Sequence, residues 1–226
     1  MAKSSAGRPA LDGNAVRTQR TRERVLAVAL ALFNERGEMH VTTGMIADEL
    51  TISPGNLYYH FRNKDQIVEQ LFARFEERIS IEPAARLEGP GAIEDLWFYL
   101  HLMFEAIWEY RFLYRNLNDL AGRNRRLREH FNRIVDAKRD AVAGLCEGLV
   151  ASGLMHAGAG DIRVLAENVL VVSTYWLNFR AIRGGGVQAD SRELGRGAYH
   201  VMALVSPFLA PEARAHLERL GRDYID

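Results

Sequence analysis

Between positions 42 and 64 the chain reads TTGMIADELTISPGNLYYHFRNK, a stretch whose polar residues suit binding to a nucleic acid rather than a reaction. Gly55, Asn56, Tyr58, Tyr59 and His60 follow one another closely, with Thr43, Ser53, Pro54 and Lys64 beside them. Small, hydrogen-bonding and aromatic groups of this kind match base-pair edges and the phosphates that flank them. An enzyme would need a nucleophile with its base, paired carboxylates or a set of metal ligands. The spacing offers none of these. The histidines His40, His60, His101, His130, His156, His200 and His216 form neither H-E-x-x-H nor a Cys/His ligand pattern, and there is no G-x-S-x-G. The triple glycine 184–186 follows a predicted helix rather than a strand, which is not how a phosphate cradle is built. We therefore expect no catalytic residue, no metal and no cofactor.

Two short helices joined by a tight turn would position these groups. Met45, Ile46 and Leu50 make one apolar face, Ile52 lies in the turn, and Leu57 and Phe61 serve the second helix. Thr43 and Ser53 are read as the two N-caps, with Pro54 at a first helical position where its missing N–H costs nothing. On this reading the second helix enters the major groove of double-stranded DNA with Asn56 and Tyr58 nearest the bases, and Gly55 allows close backbone approach. Ser53, Thr43, Tyr59, His60 and Lys64 would hold phosphates. For Tyr58 and Tyr59 the alternative is packing against the preceding helix. Residues 1–24 hold six basic residues, Arg17 among them, against Asp12 and Glu23, a net +4 beside the motif. That arm is either a DNA contact or a solvated tail.

The run T-x-x-x-IA-x-x-L-x-[IV]-S-x-G-x-LYYHF-x-x-K resembles the DNA-binding domain of the tetracycline-repressor (TetR) family, with Gly55, Leu57, Tyr58, Tyr59, His60, Phe61 and Lys64 matching its signature. The likeness covers about residues 18–75, and residues 105–131 look like the opening of the ligand-binding region in one subgroup of such repressors. Two positions depart from the pattern. Thr51 stands where the family favours glycine or another small residue, so a β-branched side chain strains the turn. Gly44 stands where the family's namesake has an arginine that reaches a base.

The whole chain has 226 residues, 48% of them apolar, with 29 basic and 29 acidic side chains. This is the composition of a globular protein of two domains, and its overall neutrality does not weigh against the locally basic arm. Cys146 is the single cysteine, which rules out an internal disulfide, suggests a reducing compartment, and reads as a small buried residue. No apolar core opens the chain, and the run 169–179 is shorter than the roughly 20 residues a bilayer needs. We expect a cytoplasmic protein with no membrane partner.

Everything else reads as helix, so the fold class is all-α. Predicted helices span 16–36, the two motif helices, 64–81, 93–110, a short helix ended by Gly122, 125–151, 161–182 with Asp161 as its cap, 191–209, and a terminal helix from Pro211. Pro83 and 87–91 mark a linker. The expected division is a flexible basic arm at 1–15, a helix-turn-helix domain at 16–64, and a helical effector and dimerisation domain at 65–226 linked by helix 64–81. The arginines at 111, 115, 123, 125, 126, 128 and 133 read as a solvated face.

One recognition helix reads too few base pairs to define a site, so a homodimer is expected. The resemblance implies pairing through the last two long helices, by Leu165, Val169, Val172 and Trp176 and by Leu194, Ala198, Tyr199, Met202 and Val205, although part of each stripe could be internal core. Gly195 and Ala198 would permit close helix approach. Aromatic residues crowd 97–114. They fill either a large core or, as the resemblance favours, a pocket for a small hydrophobic effector lined by Trp97, Phe104, Trp108, Phe112, Leu117, Tyr175 and Phe179, with Asn116, Asn118, Thr174 and Asn178 as polar anchors. The combined expectation is a regulator, most simply a repressor released from a palindromic operator by its effector. A DNA-binding architectural or protein-partnered factor with no small-molecule ligand is the alternative.

Overall fold

The computed structural model describes residues 13–80, 91–183 and 192–224. Among them are eleven α-helices and no strand: α1 (Gly13–Arg36), α2 (Thr43–Glu49), α3 (Pro54–His60), α4 (Lys64–Ile79), α5 (Ala92–Glu109), α6 (Arg111–Arg115), α7 (Leu117–Arg123), α8 (Arg125–Ala151), α9 (Ala159–Ile182), α10 (Arg192–Val205) and α11 (Pro211–Gly221). The predicted linker at 83 and 87–90, the glycines 184–186 and most of the basic arm lie outside the described residues.

Helix α1 starts at Gly13, three residues before the predicted boundary, and buries Val25, Leu26, Ala29 and Phe33. It stops at Gly37, whose φ of +84° is a region open to glycine at little cost. Helix α2 begins one residue earlier in its capping than expected. Thr42, not Thr43, is the N-cap, and its Oγ1 accepts from the Met45 amide at 3.2 Å. Ser53 caps α3 as expected, accepting from the Asn56 amide at 3.2 Å with Pro54 next in line. Asn63 caps α4 through the Gln66 amide, 2.9 Å away.

The turn between α2 and α3 is closed by paired bonds, Thr51 N–H to Asp48 O and Ile52 N–H to Ala47 O, each 3.0 Å. This is a Schellman cap, which places its left-handed residue at position 51. Thr51 sits there with φ +55°, where a β-branched residue is strained. Thr51→Gly is expected to raise stability by about 0.5–1 kcal/mol, the relief of left-handed strain less the extra backbone entropy of glycine. Urea unfolding of the two proteins measures the difference, and a glycine variant no more stable than its parent would show the turn to be relaxed.

Helices α1, α2 and α3 pack around Ile46, Ala47, Leu57 and Phe61, and α4 runs from that group to α5 and α8. Helix α9 packs on α6, α8 and α10, and α5 lies against α10 and α11. The loops after α8 and α10 join through a bridge between Met155 and Leu209. Three boundaries differ from expectation. The short helix expected to end at Gly122 is two helices, α6 and α7, and Gly122 lies inside the second, which runs on to Arg123. Asp161 is not a cap but the third residue of α9, reaching back to accept from the Gly158 amide at 2.9 Å. Helix α10 ends at Val205, and 206–208 tighten into a 3₁₀ turn around Pro207.

Candidate nucleic-acid interface

Helix α3 presents Ser53, Pro54, Gly55, Asn56, Tyr58 and Tyr59 to solvent while Leu57 and Phe61 are buried. The outer face thus carries the residues whose types suggested groove contact. Tyr59 is 78% exposed and Tyr58 51%, so neither is taken up by packing on α1. The Tyr58 hydroxyl lies 3.3 Å from Thr43 Oγ1, tying α3 to α2 across the turn. Beyond Gly55, an added Cβ would meet only Ser53 Oγ, at 4.0 Å. The missing side chain therefore serves no internal contact and leaves the backbone open to an approaching partner.

A groove of about 670 Å³ runs between α1 and α3, lined by Arg17, Arg20, Arg24, Asn56, Tyr59 and His60 among others. The exposed guanidiniums of Arg17, Arg20 and Arg24 line one wall, and a polyanion is the natural occupant of such a wall. Arg22 does different work. It donates to the His60 carbonyl at 2.7 Å and lies over the Phe61 ring, 4.4 Å from its centre, which fixes the end of α3 on α1. Burial and the neighbouring Arg22 charge hold the His60 imidazole below its ordinary pKa. It is therefore a neutral hydrogen-bonding group at pH 7, not a cation.

Lys64 is placed differently from the expected free phosphate ligand. Its ammonium lies 3.0 Å from Glu38 Oε1 and donates to the Glu38 carbonyl at 2.9 Å. Glu38 is fully buried, and its other carboxylate oxygen accepts from Arg123 of α7. Burial alone would raise the Glu38 carboxyl. The hydrogen bonds and charges of Arg123 and Lys64 outweigh it, and the net shift is downward. Sequence reading missed Glu38 altogether and took Arg123 for a solvated charge. Asn34, also buried, was missed as well. It accepts from the Phe112 amide at 3.0 Å and donates to the Glu109 carbonyl at 2.7 Å, clamping α1 to the α5–α6 junction. A buried polar side chain requires a partner, so a polar residue on the apolar stripe of α1 was the available signal.

The residues assigned to an effector pocket are spread over several places. Phe112 is fully buried against Phe33 of α1, so it belongs to the seam between α1 and α6. Phe104 is buried at the meeting of α5, α9 and α10. A Cβ added at Gly197 would come within 2.5 Å of the Phe104 ring and 2.9 Å of Trp176. Trp97 stacks on His101, which bonds the Tyr224 hydroxyl at 2.6 Å. Trp108 lies under Arg111, and Leu117 is buried at the start of α7. Asn178 donates to the Tyr114 carbonyl at 3.1 Å, Thr174 is half-buried, and Asn116 Oδ1 is buried without a partner. Tyr175 and Phe179 are about half exposed, at 45% and 51%, and face away from the interior.

The expected dimer residues invert in the same way. Leu165, Val169, Trp176, Ala198, Met202 and Val205 are buried within the chain, and Val172 and Leu194 are partly covered; Tyr199 alone of the nine is exposed. The outer face of α9 carries Val164, Val171, Tyr175, Phe179 and Ile182 instead. Helix α9 is apolar around most of its circumference, so it offers two stripes, and only the position of α6, α8 and α10 decides which is internal. Gly195 likewise makes room for Tyr224 of its own chain, 2.7 Å from where a Cβ would stand.

No helix among the described residues is long and apolar enough to cross a membrane. Residues 25–71 match the family model for bacterial regulatory proteins of the TetR family, and residues 64–217 match that for the TetR bacterial transcriptional repressor. Among curated relatives, the HTH-type transcriptional regulator UidR of Escherichia coli K12 is 30% identical over 79 residues, 35% of this chain and 40% of that one. The HTH-type transcriptional repressor KstR2 of Mycobacterium tuberculosis H37Rv is 36% identical over 78 residues, 30% of this chain and 39% of that one. The chain thus spans about two fifths of the length of the curated relatives it matches. A solved TetR-family regulator from Marinobacter aquaeolei VT8 is 35% identical, superposes with a TM-score of 0.80, and covers 90% of this chain and 98% of its own. Capped helices α2 and α3, the solvent-facing LYYHF segment and these matches across both halves place the chain in the TetR family of DNA-binding transcriptional regulators.

Proposed function

We propose that the protein is a homodimeric repressor that binds a palindromic operator and is released from it by a small hydrophobic effector. The exposed outer face of α3, capped at Ser53 and flanked by the arginine-lined groove of α1, carries this reading. The residues before α1 act as an arm, α1 to α3 as the reading head, and 65–226 as the effector and dimerisation unit, with α4 transmitting between them. As a bacterial regulator meeting chromosomal DNA, it works in the cytoplasm. Asn56 and Tyr58 read base edges. Arg17, Thr43, Ser53, Tyr59 and His60 meet phosphates, with Pro54 and Gly55 leaving the helix start unobstructed. Lys64 is omitted from the phosphate set because Glu38 already meets its charge.

Asn56→Ala is expected to weaken operator binding about tenfold or more and to relax sequence preference, whereas Arg17→Ala weakens binding to all sequences alike and lowers the salt slope by about one. Fluorescence anisotropy at several salt concentrations separates the two effects. Equal losses on operator and random DNA for Asn56→Ala would remove it from base reading.

The exposed stripe Val164, Val171, Tyr175, Phe179 and Ile182 supports dimerisation through α9, since contiguous exposed apolar surface of this kind marks an interface. Phe179→Asp would bury a charge at that contact and is expected to shift the protein to monomers at micromolar concentration, as read by sedimentation velocity. A variant that remains dimeric would move the interface elsewhere. The proposal as a whole is tested by binding to the DNA upstream of its own gene, repeated with a hydrophobic ligand library. Tight palindrome-dependent binding that no ligand disturbs would favour a regulator governed by a protein partner.

A further inference from the structure

Helix α8 carries exposed arginines at 125, 126, 128, 133 and 139, but its lysine at 138 points inward and is 7% exposed. The Lys138 ammonium has one hydrogen-bond partner, the Tyr114 hydroxyl at 3.2 Å, and lies 5.7 Å from the centre of the same ring. No described carboxylate pairs with it. Tyr114 is itself fully buried, wedged between Phe75 of α4 and Phe131 of α8. With its oxygen accepting from the ammonium, the tyrosine O–H has no acceptor. The pair therefore offers up to three N–H and O–H donors to an apolar interior and no acceptor to match them.

An uncompensated ammonium in such surroundings is costly, and an acceptor-only anion relieves it best. We propose that Lys138 and Tyr114 form the anchor for the carboxylate of an amphipathic monoanion, an acyl or arylalkyl acid, whose apolar body lies among the surrounding aromatic side chains. The assignment rests on the effector-released repressor reading and names the chemistry of that effector. One positive charge selects a monoanion over a phosphate, whose second charge would stay uncompensated. Helix α6, which carries Tyr114, has only five residues and no side-chain cap at its N-terminus. Arg111 Nε, Arg115 Nε and Asn116 Oδ1 at this helix are buried without partners. The anchor therefore stands beside polar groups that the chain itself leaves unsatisfied.

Burial moves the Lys138 pKa down to about 7. The titratable groups facing it are Tyr114 from α6 and, beyond that, Tyr99 from α5, both pushed up by burial and neutral across the neutral range. Phe75 from α4 and Asn178 from α9 do not titrate. A bound carboxylate stabilises the ammonium, so binding above pH 7 takes up a proton.

The test uses calorimetric titration of the full-length protein with octanoate, decanoate and 4-phenylbutyrate, each against its alcohol, at pH 7 and pH 8.5 in buffers of different ionisation enthalpy. At least one acid is expected to bind about tenfold or more tightly than its alcohol, with close to one proton taken up at pH 8.5. Lys138→Met should abolish the preference and the proton uptake. Tyr114→Phe should weaken acid binding several-fold and keep the uptake. Melting curves check that both variants fold. Alcohols binding as tightly as acids, no acid binding, or a preference that survives in Lys138→Met would overturn the assignment. An alcohol that releases operator DNA would sink the anchor and leave the repressor reading standing. An acid that binds with the expected proton signature yet leaves operator binding unchanged would uphold the anchor and sink release by this effector.

Discussion

Replacing Lys138 by methionine is expected to make the protein more stable at pH 7 by about 3 kcal/mol, or roughly 6–12 °C in melting temperature for a chain of this size. The lysine pKa falls from 10.5 in the open chain to about 7 in the fold, so folding disfavours the charged form. Above about pH 7 the unfolded chain holds a proton that the folded chain lacks, and stability rises with pH until the unfolded lysine also titrates near 10.5. Below about pH 7 both states are protonated and the full desolvation cost is present. At about 1.4 kcal/mol per unit the cost approaches 5 kcal/mol. Part of it is offset in the variant, where the Tyr114 hydroxyl loses its partner. Methionine keeps the unbranched apolar stem and removes the charge. Urea unfolding from pH 6 to pH 10, at fixed protein concentration, should show a rising line for the parent and a flat one for Lys138→Met. A variant less stable than the parent, with the slope retained, would mean that the ammonium is solvated or paired. Retention of a destabilising charge is what a binding group imposes on a core.

Glu38→Ala should have the opposite sign and comparable size, a loss of about 3 kcal/mol. The carboxylate is completely enclosed and is satisfied by Lys64 and Arg123, which remain 24% and 39% exposed. Removing it leaves two cations facing each other across a small cavity, although their exposure lets water offset part of the repulsion. The acid limb of the stability profile supplies a separate check. Because the Glu38 carboxyl is held below its ordinary 4.5, its contribution is complete above that value and disappears as the pH falls through the lower folded value. Glu38→Gln should keep the side chain's volume while flattening this limb. Since the triad joins the segment after α1, the first residue of α4 and α7, DNA affinity should fall as well through misplacement of α3. A Glu38→Ala protein with unchanged melting and unchanged acid limb would show that the ion triad contributes nothing net.

Local chemistry made the reading head legible. Ser53 followed by Pro54, the turn at Thr51 and the exposed polar set on α3 are short-range features, and the fold realises them within a residue or so. The same holds for the stop of α1 at Gly37 and for the all-helical class, since a periodic apolar stripe and a cap act over a few residues. The choice between Thr42 and Thr43 as cap was not legible, because adjacent hydroxyls compete for one amide and the loser, Thr43, finds Tyr58 across the turn.

What only the tertiary structure decided is which face of an apolar helix looks inward, and which polar residues meet across the chain. Tyr175 and Phe179 exchange places with Leu165, Val169 and Trp176 because α9 has apolar residues on several faces, and its neighbours choose among them. Glu38, Lys64 and Arg123 are far apart in sequence and look like ordinary surface charges until burial brings them together, as does Asn34 with the α5–α6 junction. Lys138 is the sharpest case: within an arginine-rich helix it reads as one more solvated cation. Only the packing of α8 against α6 makes it a buried ammonium facing Tyr114, because desolvation is a property of the enclosing fold and not of the residue.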